Sequence, residues 1–347
     1  MELEPYFKTA IENNASDLHL VEGSVPALRV SGELIRFKEK AIPYGELKHA
    51  LYLYLDKYTK DRFERKRDMD MSMEFFDNRF RVNLHFQGGK IGLTARLVPK
   101  KIPTAKEIGL NEIIYSLTHL KDGLILLTGP SGTGKSTTLA VMLDIINAER
   151  RSHIITIEDP IEYDFTDKQS IVEQRQLGRD TTGFADALKY ALRQDPNVIM
   201  VGEMRDLETI SAALTAAKTG HLVLSTLHTT TAPETVERIV DFFPLQNQNS
   251  ITGQLASVLR AVISQQLLPK KGGGLTAARE IMINNRAIAN LIRDNKTEQI
   301  YSTIQMGVKD GMITMNKSID NLLKNGVISE DVARNRKRDL ETQAVYY

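Results

Sequence analysis

Cysteine is absent from this chain of 347 residues. That removes disulfides, thiolate zinc sites, iron–sulfur clusters and thiol nucleophiles together. An excess of either charge is lacking too, since 45 Lys and Arg nearly cancel 44 Asp and Glu for a formal +1. No basic surplus points to nucleic acid or to an anionic membrane surface. Long apolar runs are missing as well. Stretches such as Leu124-Ile125-Leu126-Leu127 fall far short of the ~18 residues that span a bilayer. The opening Met1-Glu2-Leu3-Glu4-Pro5 has neither the basic nor the apolar region of a secretory signal, so a cytosolic, soluble protein is expected. What remains is 41% hydrophobic and 26% charged, as in ordinary globular chains. At ~150 residues per domain, the length suits about two.

Pattern divides the chain where charge does not. Before residue 100 apolar and polar residues alternate with period two: Ala27 to Val30 and Leu34 to Phe37 flank Gly32-Glu33, and Phe80 to Val98 alternates almost throughout. With a helical stretch near Tyr44–Glu64, this predicts an α+β domain of antiparallel strands over residues 1–98, one face covered. Pro99-Lys100-Lys101-Ile102-Pro103 interrupts both periods and reads as a linker, 99–104. From 105 to 347 short, near-continuous apolar runs (Leu124–Leu127, Ile154–Ile157, Val198–Val201, Leu222–Leu224) alternate with helical patterns. Such βα units predict an α/β domain with a parallel sheet covered on both faces. Beyond the turn Lys270-Lys271-Gly272-Gly273-Gly274 the rest reads as mostly helical, with a helical region from about 285.

Gly129-Pro130-Ser131-Gly132-Thr133-Gly134-Lys135-Ser136-Thr137 fits G-x-x-x-x-G-K-[ST], with a strand before it and a helical face (Leu139, Met142, Leu143, Ile146) after it. Glycines let backbone N–H groups turn inward around a phosphate at a helix N-terminus. Lys135 can reach the β- and γ-phosphates, and the Ser136 hydroxyl can ligate Mg²⁺. Ser131, Gly132, Thr133, Gly134, Lys135, Ser136 and Thr137 are thus the expected nucleotide contacts.

Two later strands end in acids, His153-Ile154-Ile155-Thr156-Ile157 in Glu158 and Asn197-Val198-Ile199-Met200-Val201 in Gly202-Glu203. That is the edge where open α/β sheets bind ligands. One acid can serve as general base and another hold Mg²⁺, and composition does not say whether Glu158 or Glu203 does which. His221 and His228 bracket a fourth strand. Odd spacing along a strand puts them on opposite faces, so one can face the γ-phosphate while the other packs.

If Gly88-Gly89 makes a two-residue hairpin turn, Phe80 faces Leu97, Val82 faces Ala95, Leu84 faces Leu93 and Phe86 faces Ile91. All four pairs are apolar. The same register sets Arg81 against Arg96 on the other face, where like charges cost ~0.2–1 kcal/mol. Either both arginines are solvated and pair with nearby acids, or an anion lies between them, for which guanidinium forks suit phosphate.

The phosphate loop, the Thr156-Ile157-Glu158-Asp159-Pro160-Ile161-Glu162 box, the Gly202-Glu203 strand end and the paired histidines together resemble the secretion-ATPase superfamily. Ser16-Asp17-Leu18-His19-Leu20 and Val30-Ser31-Gly32-Glu33-Leu34 are similar to its N-terminal strands. Ala287-Ile288-Ala289-Asn290-Leu291-Ile292-Arg293-Asp294 is similar to the A-I-R-N-L-I-R-E signature of its pilus-retraction branch, with Ala289 and Asp294 in place of an arginine and the glutamate. Ile288, Leu291 and Ile292 share one helical face, so the segment can also simply pack. The resemblance implies a PAS-like N-terminal domain, a RecA-like C-terminal ATPase domain and a homohexamer with ATP or ADP and Mg²⁺ between subunits. It further implies Glu158 as general base, Glu203 as the acid near Mg²⁺, His228 as γ-phosphate sensor, and Arg81 and Arg96 as arginines acting in trans. The partner it implies is the inner-membrane platform protein of a type IV pilus, with the ATPase peripheral on the cytoplasmic face, not inserted, and without nucleic acid. Extension and type II secretion members carry a four-cysteine zinc motif that this chain cannot form, which favours the retraction branch. The rival expectations are another secretion motor, or a nucleotide-dependent regulator with little turnover.

Overall fold

The structure, a computed structural model, describes residues 1–30, 32–98 and 101–337. Ser31 and the linker positions Pro99 and Lys100 lie outside the described residues. Two compact units emerge: Met1–Lys101 with Asp159–Asp164 and Gln176–Asp180, and Ile102–Glu158 with Phe165–Arg175 and Thr181–Tyr347.

The first unit is built on a six-stranded sheet, β1 (Asp17–Val21), β2 (Ala27–Val30), β3 (Glu33–Arg36), β4 (Asp68–Phe75), β5 (Asn78–Gln87) and β6 (Lys90–Leu97), in the order β3-β2-β1-β6-β5-β4. Every neighbouring pair is antiparallel. The β5–β6 hairpin turns at Gly88 and Gly89, both at positive φ (+56° and +77°). Its register is the one the spacing predicts, with Phe80 opposite Leu97, Leu84 opposite Leu93 and Arg81 opposite Arg96. Phe80, Val82, Leu84, Leu93 and Ala95 meet Phe7, Leu47, Leu51 and Phe63 from the helices Glu4–Glu12, Glu46–Tyr52 and Lys57–Lys66 in one core. The single helical stretch expected near 44–64 is therefore two helices. Asp56 starts the second by accepting the Thr59 N–H at 2.7 Å, the N-cap that a new helix needs. The alternation in β3 also buries nothing, for Leu34 and Ile35 are 52% and 51% exposed on this edge strand. Two segments from later in the chain join this unit through the Arg79–Asp164 ion pair at 2.7 Å and the Ser72 hydroxyl on Gln176 Oε1 at 2.6 Å.

The second unit carries a seven-stranded sheet in the order β13-β12-β7-β11-β10-β8-β9. Its strands are β7 (Gly123–Thr128), β8 (His153–Glu158), β9 (Ile171–Gln176), β10 (Val198–Val201), β11 (Leu222–Leu227), β12 (Leu259–Pro269) and β13 (Leu275–Ile283). The run β12-β7-β11-β10-β8 is parallel. Successive side chains of a strand point to opposite faces, so each apolar run feeds two cores. Leu124 and Leu126 pack with the helices Phe184–Ala191, Leu207–Lys218 and Leu245–Val258, while Ile125 and Leu127 pack with the helix Lys135–Glu149. After the turn at 270–274 the chain is not yet helical, for β13 pairs antiparallel with β12 from Ala261–Ile283 to Pro269–Leu275. Helices resume at Arg286–Arg293, where Asn285 caps the Ala287 and Ile288 N–H groups and Ile288 and Ile292 are fully buried. Among the described residues no helix is long and apolar enough to cross a membrane.

Candidate functional site

The four central parallel strands end on one edge of the second sheet. Val201 pairs with both Ile157 and Ser225, and Thr128 pairs with Leu227. Glu158, Gly202 and Thr226 therefore form the next row, Glu203 and His228 stand just beyond it, and Gly129 opens the loop that leaves β7. Hydrogen bonds lock the row: Gly202 N donates to Ile157 O at 2.8 Å, and the Thr226 hydroxyl donates to Gly202 O at 2.6 Å. A Cβ on Gly202 would lie 3.3 Å from Ile157 O and 3.5 Å from Glu158 Cα. That close approach explains why glycine precedes the acid.

The loop at 129–134 joins β7 to the helix Lys135–Glu149. Gly129 adopts φ +140°, and a Cβ there would lie 2.4 Å from the backbone oxygen of Gln265, so no other residue fits without moving β12. The Thr133 hydroxyl donates to Pro130 O at 2.8 Å and ties the loop across its mouth. Lys135 is 8% exposed, and its ammonium donates to Gly129 O at 2.6 Å and Pro130 O at 2.9 Å. Loop carbonyls thus hold a cation at the N-terminus of a helix of 15 residues, where the dipole and free N–H groups attract anions. Ser131 and Gly132 are exposed, while Thr133, Gly134, Ser136 and Thr137 are half-buried.

Both strand-end acids are nearly buried, Glu158 at 6% and Glu203 at 9% exposure. Glu158 Oε1 accepts the Thr156 hydroxyl at 2.6 Å and the Gln174 amide at 3.2 Å, which fixes its carboxylate on the edge. Glu203 is held by Arg205 and His228 instead, with Arg205 Nη2 at 2.5 Å from Oε1 and His228 Nε2 at 3.5 Å from Oε2. The two histidines separate as well. They lie at opposite ends of β11, just outside it, rather than on opposite faces within it. His221 Nδ1 sits 3.0 Å from Ala216 O at a helix end, a packing role. His228 is exposed beside Glu203.

Arg81 and Arg96 belong to the first unit. They face each other across β5 and β6, and Asp17 of β1 is next in line. Arg96 Nε donates to Asp17 Oδ1 at 2.8 Å, so for this arginine a nearby acid supplies the counter-charge. Arg81 is half-buried and has no ion pair among the described residues.

Sequence reasoning missed four residues here. Arg205 carried the signal of lying two positions from Glu203. Gln174, on β9, and Gln265 and Arg279, on β12 and β13, carried none, because they reach the site only through the fold. Gln265 Nε2 donates to Thr133 O at 2.6 Å across 132 residues of sequence.

The chain is similar to known proteins over nearly its whole length. Residues 105–344 match the family model described as type II/IV secretion system protein. The type IV pilus retraction ATPase PilT of Pseudomonas aeruginosa is 45% identical over 97% of this chain and 98% of its own length. A twitching motility protein of Neisseria gonorrhoeae is 42% identical over 92% of this chain and 86% of its own. A crystal structure of the pilus retraction motor PilT with bound ADP superposes with a TM-score of 0.91, at 46% identity over 99% of this chain and 98% of the other.

Proposed function

Because the chain belongs to the type II/IV secretion system protein family, we propose that it hydrolyses ATP to ADP and phosphate to power type IV pilus retraction. In this reading it works as a homohexamer on the cytoplasmic face of the inner membrane, bound to the pilus platform protein and not inserted itself. The domains are a PAS-like module at 1–98, a linker at 99–104 and a RecA-like ATPase at 105–347. The observation that carries the proposal is the single edge that holds the Gly129 loop, Lys135 and two buried carboxylates, Glu158 and Glu203.

The residues fit a nucleotide and its metal. The Gly129 loop holds the Lys135 ammonium at the N-terminus of the helix Lys135–Glu149, and the hydroxyl of Ser136 with the carboxylate of Glu203 is an oxygen donor set that suits Mg²⁺. Ser136 and Glu203 would hold that ion, which when bound neutralises charge on the β- and γ-phosphate oxygens. Ser131 to Thr137 bind the phosphates through backbone N–H groups and hydroxyls. The Lys135 ammonium exchanges the Gly129 and Pro130 carbonyls for the β/γ oxygens. Glu158 takes the proton of a water that attacks the γ-phosphorus in line. The bond to the bridging oxygen breaks, and ADP leaves with the electron pair. His228, beside Glu203, senses whether the γ-phosphate is present. Arg81 and Arg96, lent by an adjoining subunit, meet the charge that spreads over the transferring oxygens.

Two measurements test the reading. The purified chain with ATP and Mg²⁺ should release phosphate steadily, and nucleotide binding without turnover would make it a regulator instead. A strain that lacks the gene should carry extra surface pili. Bare cells would mean that the motor extends pili rather than retracts them.

A further inference from the structure

Arg279 on β13 is 5% exposed, yet among the described residues it makes no ion pair. Its guanidinium donates only to neutral oxygens: Nε to Gln265 Oε1 at 2.8 Å, Nη1 to Gly109 O at 2.8 Å and Nη2 to Ile108 O at 3.0 Å. Burial pulls its pKa down to about 10, which leaves it charged at neutral pH. A buried cation without a counter-ion is costly to keep, and what it holds is the clue to its use.

A guanidinium can only donate hydrogen bonds, whereas a glutamine amide presents an acceptor on one side and a donor on the other, with nearly the same shape either way. Arg279 removes that ambiguity. Gln265 must turn its oxygen toward Arg279, and its NH₂ is then aimed at Thr133 O, 2.6 Å away. The Thr138 hydroxyl, 2.9 Å from the same Gln265 oxygen, can donate or accept, so alone it would not choose between the two orientations. The Thr133–Gly134 peptide is planar, with its C=O and N–H on opposite sides. Drawing the Thr133 carbonyl toward Gln265 turns the Gly134 N–H the other way.

We propose that Arg279 is a positioning residue of the phosphate loop, which fixes the amide of Gln265 so that Gln265 pins the Thr133 carbonyl and aims the Gly134 N–H at a bound phosphate. The inference rests on the nucleotide reading above and adds a buried relay to it.

Titration of the full-length protein with ADP, beside its thermal unfolding midpoint, tests the relay. Gln265→Glu keeps the shape and gives Arg279 a carboxylate, so the midpoint should hold or rise. The lost NH₂ should nevertheless raise the Kd for ADP about tenfold, the scale of one buried acceptor left unsatisfied. Gln265→Met should weaken ADP similarly, which separates loss of the donor from the added negative charge. Arg279→Lys should bind ADP better than Arg279→Met. The Gln265→Met/Arg279→Met double variant should bind no more weakly than Gln265→Met, because the arginine acts through the glutamine. Wild-type affinity in both Gln265 variants overturns the relay, as does a double variant that multiplies the single losses. Affinity and stability that fall together in Gln265→Glu would mark a merely structural residue and overturn it too. Should Arg279→Met not fold, the two Gln265 variants still decide. A wild-type chain that binds no ADP would sink the nucleotide reading itself, whereas wild-type binding with unaffected variants sinks only the relay.

Discussion

In the first unit charged residues belong to the strands themselves, with Asp17, Arg96 and Arg81 following one another across β1, β6 and β5. In the second unit β7, β10 and β11 are buried at every position and carry no charged residue, and ionisable groups begin only where those strands stop. The difference follows from how each sheet is covered. Helices pack on one face of the antiparallel sheet, and its other face can carry arginines at little cost. Helices pack on both faces of the parallel one, which leaves the carboxyl edge as its only outlet for chemistry. The first arrangement displays charge and the second concentrates it. At the edge Glu158 and Glu203 are nearly desolvated, and electrostatic interactions there are stronger than in water.

Substitutions at the edge and in the strands behind it should therefore fail differently. Glu158→Gln keeps the size of the side chain and its bonds to Thr156 and Gln174 within reach. It should cut steady-state phosphate release by ~10²–10⁴-fold, the usual value of a general base, with ADP affinity preserved. Unchanged release would remove Glu158 from that role. Leu126→Ala, three residues before the loop on β7 and fully buried, should instead cost ~2–5 kcal/mol of stability in chemical denaturation, and activity should be lost only as the fold is lost.

Much of this contrast was legible in the sequence. Period-two alternation with Gly88-Gly89 gave both the register and the Arg81–Arg96 pair, because a two-residue turn leaves one pairing that buries all four apolar couples. The apolar runs at 124–127, 154–157, 198–201 and 222–224 marked the parallel strands because burial on both faces admits little else. Two edge strands were hidden. In β13 the buried Arg279 and Glu280 break the apolar run that would announce a strand. In β9 exposure alternates poorly, and only Gln176 is buried. Gln265 looks like any glutamine in sequence, since its role depends on Thr133, 132 positions away. The Asp17–Arg96 pair spans 79 positions and was likewise out of reach.

The displayed cations invite a test that separates activity from stability. Arg81 has no ion pair among the described residues, so Arg81→Ala should leave the unfolding midpoint within ~0.5 kcal/mol of wild type. If its guanidinium serves a neighbouring subunit, turnover should fall about 10²-fold, the low end of what one donor to developing charge supplies. Mixing Arg81→Ala with Lys135→Ala should then restore part of the activity, because some interfaces combine an intact loop with an intact arginine. No restoration at any ratio would exclude a shared site.

The smallest effect concerns His19, on β1 opposite Thr94. Burial holds its pKa below the ordinary imidazole range, Arg29 and Arg96 push the same way, and Asp17 opposes them. The folded protein therefore keeps His19 neutral at a pH where the unfolded chain takes up a proton. Stability should fall as the pH drops through the unfolded value of about 6.5, and level off once the folded histidine also protonates. Urea midpoints at pH 7.5 and at pH 5.5 should differ more in the wild type than in His19→Gln, and an equal drop in both would clear His19 of any part. Arg96→Ala should shrink the difference too, because removing a neighbouring cation lets the folded imidazole protonate more easily. Such a dependence is what a sheet with charged residues in its strands allows, whereas β7, β10 and β11 hold no ionisable group to titrate.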